Sequence, residues 1–576
     1  MKKDYELLET YTNKKGTWSY LRHKKTGLEI AYHKSEKGED RNGQEEEVNP
    51  VTGFSFCFKT PVEDPYLGTT HVLEHCVLCG SEKYKVHFFD LLDYSCFTDF
   101  NAETTDDSTR YFFYSVIEEE CFKLIPIMAD YVFFPELLEE TFLQECMRVN
   151  LSADGDGRKN EIKGVVYNEM KNDPKGFFAG GLDYKLHELT VEKIREYQKK
   201  YYRPDNCLFT FCGMESLEKV LSLVDKFIPD LEKGFSDCKV AARKNLTIKE
   251  FLEKVPFKEA PKKMKNPDDA LWINEEGKKE DICDHLESYW IAEDSPLMPF
   301  CLDEKYAYSE FCWNKKNHKG KKEPPLPPRK PVQKIIKEYL SKLDIDEYKK
   351  KLESLNKWQA RDNRQAAQKI MEPLVVNKDE IEFTKSEEEI LKELTERCER
   401  IKRYKRKPKV LIQIDKHSCI INIEFTEEKG RDYYADFLLL LFLKRYFSIQ
   451  LREEGELYDI NVSYGYFFNY NIFSNFTNKP KKTMDFIKEH IKKIASYKFT
   501  EADMLIIKSL LYTRIFMPNN HMPDMSNEVF HVTPEDLHQA ALRFKKLVVK
   551  YEKEEAARIT REEEIKRLRK KARRGK

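Results

Sequence analysis

The chain has 576 residues, of which 40% are hydrophobic and 35% charged, with 100 Lys and Arg set against 101 Asp and Glu. That length holds several domains and a sizeable core, and a net charge of −1 gives no overall attraction to nucleic acid or to an anionic membrane. No apolar run approaches the roughly 18 residues of a membrane-spanning helix, the N-terminus lacks the apolar core of a secretory signal, and 14 scattered cysteines form no disulfide framework, so a reduced, cytosolic chain is expected.

Residues 1–235 read as mixed α/β. "GLEIAYHK", "GFSFCFKT" and "TRYFFYSVI" have the alternation or apolar run of strands. "EECFKLIPIMADYVF" and "TFLQECMRVNL" carry helical spacing. "DNCLFTFCGM" followed by "SLEKVLSLVDKFI" reads as a strand, a turn with a capping serine and an amphipathic helix. Residues 236–330 turn rich in Lys and Pro and read as a linker or reduced domain. Residues 331–406 read as long charged helices with a turn near "LDIDE", an antiparallel helical hairpin. Residues 407–545 return to α/β. "KVLIQIDKHSCIINIEF" gives paired strands, "YYADFLLLLFLKRYF" a buried helix, "DINVSYGYFFNYNIFSNF" two more strands and "KKTMDFIKEHIKKI" a helix. Residues 546–576 are a charged helical or disordered tail.

The chemistry concentrates in "THVLEHCVLCG". His71 and His75 are four residues apart, on one face of a helix and able to converge on one ion, with Glu74 beside that face. A catalytic zinc takes three protein ligands and a water, and the water needs a base, which a carboxylate supplies. His-x-x-Glu-His is the inverted order of the common zincin motif. The same segment holds Cys76-x-x-Cys79, a spacing that also suits a redox or structural-zinc site. A third ligand to the histidines must come from elsewhere. Glu169, at the end of an apolar run in "EIKGVVYNEMKN", is the candidate, and Glu161, two helical turns earlier, is a supporting carboxylate on the same side.

"TPVEDPYLGTTHVLEHCVLCGSEKY", "FNAETTDDSTRYFFYSV" and "KGVVYNEMKN", in that order, resemble the inverzincin metallopeptidases of the pitrilysin and insulinase family. The wording of "LEHCVLCGSEKY" and "GVVYNEM" is most similar to the presequence protease and falcilysin branch. The resemblance covers most of residues 5–230. It implies that His71, His75 and Glu169 bind one zinc and that Glu74 is the general base on the zinc-bound water. It also implies that Asn101 and Ala102, at a strand edge, hold the backbone of a peptide substrate by β-addition. The zinc then belongs to the histidines, and Cys76 and Cys79 are packing residues.

In "IQLREEGELYDINVSYG", Arg452 and Tyr458 flank a glycine between a helix and strands. By spacing alone they are a surface arginine and a core tyrosine. The family resemblance gives them another role, since its last domain contributes an Arg and a Tyr from an "R-x-x-G-G-A-Y" type segment to orient substrate or steady the oxyanion. "REEGELY" keeps the Arg, the first Gly and the Tyr but departs at Glu456 and Leu457. The expected fold is α+β, with two pitrilysin-like domains of antiparallel-rich sheet and helices, joined by the linker and the hairpin. The branch has four homologous domains that close over a peptide, and this chain holds the first, the linker, the hairpin and a last-domain-like segment. A homodimer or a partner chain would complete the chamber. Two function classes follow: a zinc endopeptidase for unstructured peptides, and a non-catalytic peptide-binding subunit of the same fold.

Overall fold

The computed structural model describes residues 2–13, 16–35, 52–96, 99–106, 108–152, 159–172, 179–236, 271–273, 279–281, 327–371, 385–403, 407–426, 430–454, 460–465, 468–474, 480–516 and 525–574. They form an α+β fold in two compact units, Met1–Glu372 with Phe516–Pro518, and Pro373–Ile515 with Asn519–Lys576. Among the described residues, no helix is long and apolar enough to cross a membrane.

The first unit is built on seven strands: β1 (Tyr5–Asn13), β2 (Gly16–His23), β3 (Glu29–Ser35), β4 (Thr52–Lys59), β5 (Asp99–Thr104), β6 (Ser108–Ser115) and β9 (Cys207–Gly213), ordered β1-β2-β3-β9-β4-β6-β5. Every neighbouring pair is antiparallel except β3–β9. Strands β4, β6 and β9 are buried along almost their whole length. Such runs are covered on both faces, and here buried Phe54 meets Phe56 edge-on, Phe56 meets Phe209 at a tilt and Phe58 stacks on Tyr202. Each such ring removed from water contributes about 1.5–3 kcal/mol. Among the described residues, β5 is the last strand of the sheet and its outer edge is unpaired.

The helices α1 (Thr69–Val77), α2 (Phe88–Leu92), α3 (Glu118–Phe133), α4 (Glu139–Glu145), α5 (Val165–Asn172), α6 (Val191–Tyr201), α7 (Leu217–Val224) and α8 (Ile228–Gly234) complete this part. Ser216 caps α7, its hydroxyl accepting the Lys219 N–H. The helical reading of "TFLQECMRVNL" holds only to Glu145. Cys146 leaves helical backbone, and Arg148–Asn150 pairs as β7 with β8 (Glu161–Lys163). The cause is tertiary: the Tyr348 hydroxyl donates to the Val149 carbonyl and accepts its N–H, at 3.1 and 2.9 Å. "EIKGVVYNEMKN" is a strand-to-helix junction, β8 turning into α5 at Gly164. A short hairpin, β10 (Leu271–Ile273) and β11 (Lys279–Asp281), lies in the Lys- and Pro-rich segment.

The helical segment after residue 330 divides between the units. α9 (Val332–Leu340), α10 (Ile345–Gln359) and α11 (Arg364–Met371) belong to the first, and α12 (Glu387–Arg403) to the second. Helix α10 lies on α4, burying Tyr348 and Leu355 against Leu143. Lys351 pairs with Glu139 at 3.2 Å, and the Asn363 amide donates to Asp90 on α2 at 3.2 Å.

The second unit has a four-stranded antiparallel sheet of β12 (Lys409–Ile414), β13 (Cys419–Glu424), β14 (Asn461–Gly465) and β15 (Asn469–Ser474), ordered β12-β13-β15-β14. Its central helix α13 (Arg431–Glu454) is apolar almost all round through "YYADFLLLLFL", and these residues are buried, as an all-round apolar helix requires. Helices α14 (Pro480–Ile494), α15 (Glu501–Phe516) and α16 (Pro534–Arg574) follow. The charged tail is one helix with the end of the domain. Leu537, Ala541, Phe544 and Val548 of α16 are buried, and the same helix runs on to Arg574.

Candidate metal centre

Helix α1 carries the His-x-x-Glu-His sequence and packs against α4, α5, α6 and β5. Its N-terminus is set by a close backbone crossing. Gly68 has φ +79° and Gly181 φ +84°, and a Cβ on Gly181 would stand 2.8 Å from the Gly68 Cα. Only glycine allows this conformation and this approach. The Leu182 N–H donates to the Tyr66 carbonyl at 2.9 Å, and the Thr70 hydroxyl to the Ala179 carbonyl at 3.2 Å. The segment "AGGLDY", Ala179–Tyr184, is thereby held against the start of the helix.

That crossing orients the first histidine. The Gly180 carbonyl stands 3.3 Å from His71 Nδ1, which donates to it, so Nε2 faces Glu169 Oε2 at 3.4 Å. The second histidine is oriented by a carboxylate that sequence reading did not find. Glu145, the last residue of α4, accepts from His75 Nδ1 at 3.1 Å, and His75 Nε2 stands 3.5 Å from the same Glu169 oxygen. The two imidazoles lie 5.0 Å apart between centroids, nearly perpendicular. Each histidine is held in one tautomer by an acceptor at Nδ1 and presents Nε2 to a shared point.

The donor set fits a divalent ion. A tetrahedral zinc with bonds of about 2.0–2.2 Å sets neighbouring N and O ligands about 3.4 Å apart, and the observed separations are 3.4 and 3.5 Å. The ligand atoms of all three residues lie within 4.8 Å of one another. Without an ion, burial alone would raise the Glu169 carboxyl. The charge of His75 and the hydrogen bonds from both histidines outweigh it and hold Glu169 well below the carboxylate range. Burial would likewise lower His75, and Glu169 and Glu145 instead push it well up. The site is therefore built around a negative carboxylate and a compensating positive charge, which is what a cation binding there would replace.

Glu74 is buried on α1 between the two histidines, 7% exposed. Glu161 is exposed on β8, and the carboxylate that meets a candidate ligand is Glu145. Its only sequence signal was a place inside the helical spacing of "TFLQECMRVNL". Cys76 and Cys79 are free and buried. Burial and the nearby Glu145 push both thiols well up, and neither joins the histidine group among the described residues. Cys79 instead meets His87 and Glu145, a second convergence within 4.8 Å. Asn101 and Ala102 lie on the edge strand β5, paired, among the described residues, with Phe112 and Tyr111 of β6. Arg452 lies in the last turn of α13, in the second unit. Tyr458, with Glu456 and Leu457, lies outside the described residues.

Residues 188–280 match the family model described as "Peptidase M16 inactive domain". The chain is 32% identical over 236 residues to "Presequence protease 1, chloroplastic/mitochondrial" of Arabidopsis thaliana, covering 37% of this chain and 20% of that protein. It is 36% identical over 229 residues to "Presequence protease, mitochondrial" of Drosophila melanogaster, covering 36% and 21%. An "Uncharacterized protein" of Borreliella burgdorferi is 31% identical over 250 residues, covering 39% and 24%. Over about a third of its length the chain is similar to presequence proteases, and residues 188–280 to an M16 peptidase domain. It spans about a fifth to a quarter of the length of these curated relatives.

Proposed function

We propose that the chain is a zinc-dependent endopeptidase acting on unstructured peptides. The observation that carries the reading is the meeting of His71 Nε2, His75 Nε2 and Glu169 Oε2 at 3.4–3.5 Å with Glu74 on the same helix. A zinc held by these three residues supplies a Lewis acid and lowers the pKa of a water in its open position. Glu74 takes the proton of the attacking water on its carboxylate and returns it to the leaving amine nitrogen. Gly180 and Glu145 hold the two rings through Nδ1 so that both Nε2 atoms would face the ion. The open edge of β5 at Asn101 and Ala102 binds the substrate backbone as an added strand, which reads extended chain more than side-chain identity. Arg452 and Tyr458 enter this reading through the resemblance of "REEGELY", as residues that orient the substrate or steady the oxyanion.

Cleavage of a quenched, unstructured peptide by the purified full chain tests it. Turnover that a chelator abolishes and zinc restores is the expected result. A folded, zinc-loaded chain that cleaves nothing removes the reading and supports the second one, a peptide-binding subunit that needs a homodimeric or other partner chain. The match of residues 188–280 to an inactive M16 domain favours that alternative. A reducing compartment, the cytosol, is the proposed setting, in keeping with free thiols at the ten described cysteines Cys57, Cys76, Cys79, Cys96, Cys121, Cys146, Cys207, Cys212, Cys398 and Cys419.

Glu145 gives a separate prediction. Glu145→Gln keeps an acceptor for the His75 Nδ1–H but removes the charge, and zinc affinity is expected to fall about 10–100-fold. Competition with a chromophoric chelator measures it. Unchanged affinity would show that Glu145 does not support His75.

A further inference from the structure

We propose that Cys79, His87 and Glu145 form a second site, for a soft divalent cation such as Zn2+ or Cd2+, adjoining the histidine site through Glu145. Three different elements bring these side chains together. Cys79 follows the C-terminus of α1, His87 is the N-cap of α2, and Glu145 ends α4. Backbone bonds fix the first two: the Cys79 N–H donates to the Cys76 carbonyl at 3.2 Å, and the Phe88 N–H to the Leu78 carbonyl at 2.8 Å. His87 Nδ1 accepts the Phe89 N–H at 3.2 Å, which orients the ring.

A sulfur, a ring nitrogen and a carboxylate oxygen then lie within 4.8 Å of one another. Cys79 Sγ stands 3.8 Å from Glu145 Oε1. A tetrahedral zinc with Zn–S about 2.3 Å and Zn–O about 2.1 Å separates those ligands by about 3.6 Å, so the pair needs little movement. Thiolate, imidazole and carboxylate together select zinc-like metals over magnesium or calcium. Coordination takes the sulfur as thiolate and releases its proton to solvent.

Glu145 divides its two oxygens. Oε2 accepts from His75 Nδ1 and Oε1 faces Cys79. An ion on Oε1 therefore withdraws negative charge from the carboxylate that orients His75, and the two sites oppose each other. Cys79 and Glu145 are buried and His87 is partly exposed, so an ion enters past the His87 ring.

The test is titration of the reduced, metal-free full chain with Co2+, reading bound metal and the near-ultraviolet thiolate-to-cobalt charge-transfer band. The histidine site has no thiolate and gives no such band. The expected result is two cobalt per chain with the band present. Cys79→Ser should lose the band and one equivalent and keep the other. His87→Asn, which retains a cap for α2, should lose the same equivalent, and Cys76→Ser should retain both. Equal thermal unfolding of the variants excludes misfolding. A band that vanishes in Cys79→Ser, with one cobalt in wild type and none in the variant, would support this site and overturn the histidine site instead. No band in wild type, or a band that survives Cys79→Ser, overturns the second site.

Discussion

Glu74→Gln is expected to lose about 10²–10⁴-fold of peptide cleavage while binding zinc as wild type does. The substitution keeps shape and volume at a position only 7% exposed on the central helix of the first unit, so the fold has no reason to change. It removes the one property the mechanism asks of the residue, the capacity to take a proton from water and pass it on. The contrast is with Glu169→Gln, which replaces the carboxylate oxygen that faces both histidine Nε2 atoms and should lose metal and activity together. Measuring zinc content beside turnover separates the two. A Glu74→Gln chain that cleaves at the wild-type rate would place the base elsewhere, and one that loses its zinc would make Glu74 a ligand.

In the second unit, Arg543→Met is expected to destabilise the chain by about 3–5 kcal/mol. Arg543 on α16 donates to Asp436 from Nε at 3.1 Å and to the Asp432 carboxylate from Nη1 at 2.7 Å, both acceptors on α13. Asp436 is fully buried, and its second oxygen has no hydrogen-bond partner among the described residues. Burial lifts its carboxyl to about 7, against the opposing pull of Arg543. A folded-state pKa above the unfolded value means that stability is full below the unfolded pKa, about 3.9, and is lost as pH rises through about 7. Without Arg543, nothing offsets the charge above that point, so the deficit of the variant widens toward alkaline pH. Urea unfolding at about pH 6 and about pH 8.5 reads this. Adding Asp436→Asn should recover much of the loss at the higher pH, because no buried charge remains. Equal deficits at both pH values would mean that Arg543 acts through packing alone.

The sequence by itself determined many of the elements and pointed to the candidate ligand residues. Apolar alternation and runs marked β4, β6 and β9, because a strand covered on both faces has to be apolar along its length. The all-round apolar stretch after Tyr433 marked α13 for the same reason. The four-residue spacing of His71 and His75 fixed their common face, since helical geometry is local. Glu169 was legible as a carboxylate emerging from an apolar run, and Ser216 as a cap, because both signals lie within a few residues.

Only the tertiary structure decided what stands behind those residues. Glu145 reaches His75 because α4 packs on α1, and no short-range pattern records which helix end meets which ring. The strand Arg148–Asn150 is held by Tyr348, nearly two hundred residues on, so local helical spacing misread it. The Gly68–Gly181 crossing, which supplies the Gly180 carbonyl to His71, depends on two distant glycines approaching backbone to backbone. The segment after residue 330 reads as an antiparallel hairpin of charged helices. It divides between the units because Tyr348 and Leu355 find apolar partners on α4, and burial is a property of the assembled fold. The same holds for Cys79, His87 and Glu145, three residues from three elements whose meeting no spacing encodes.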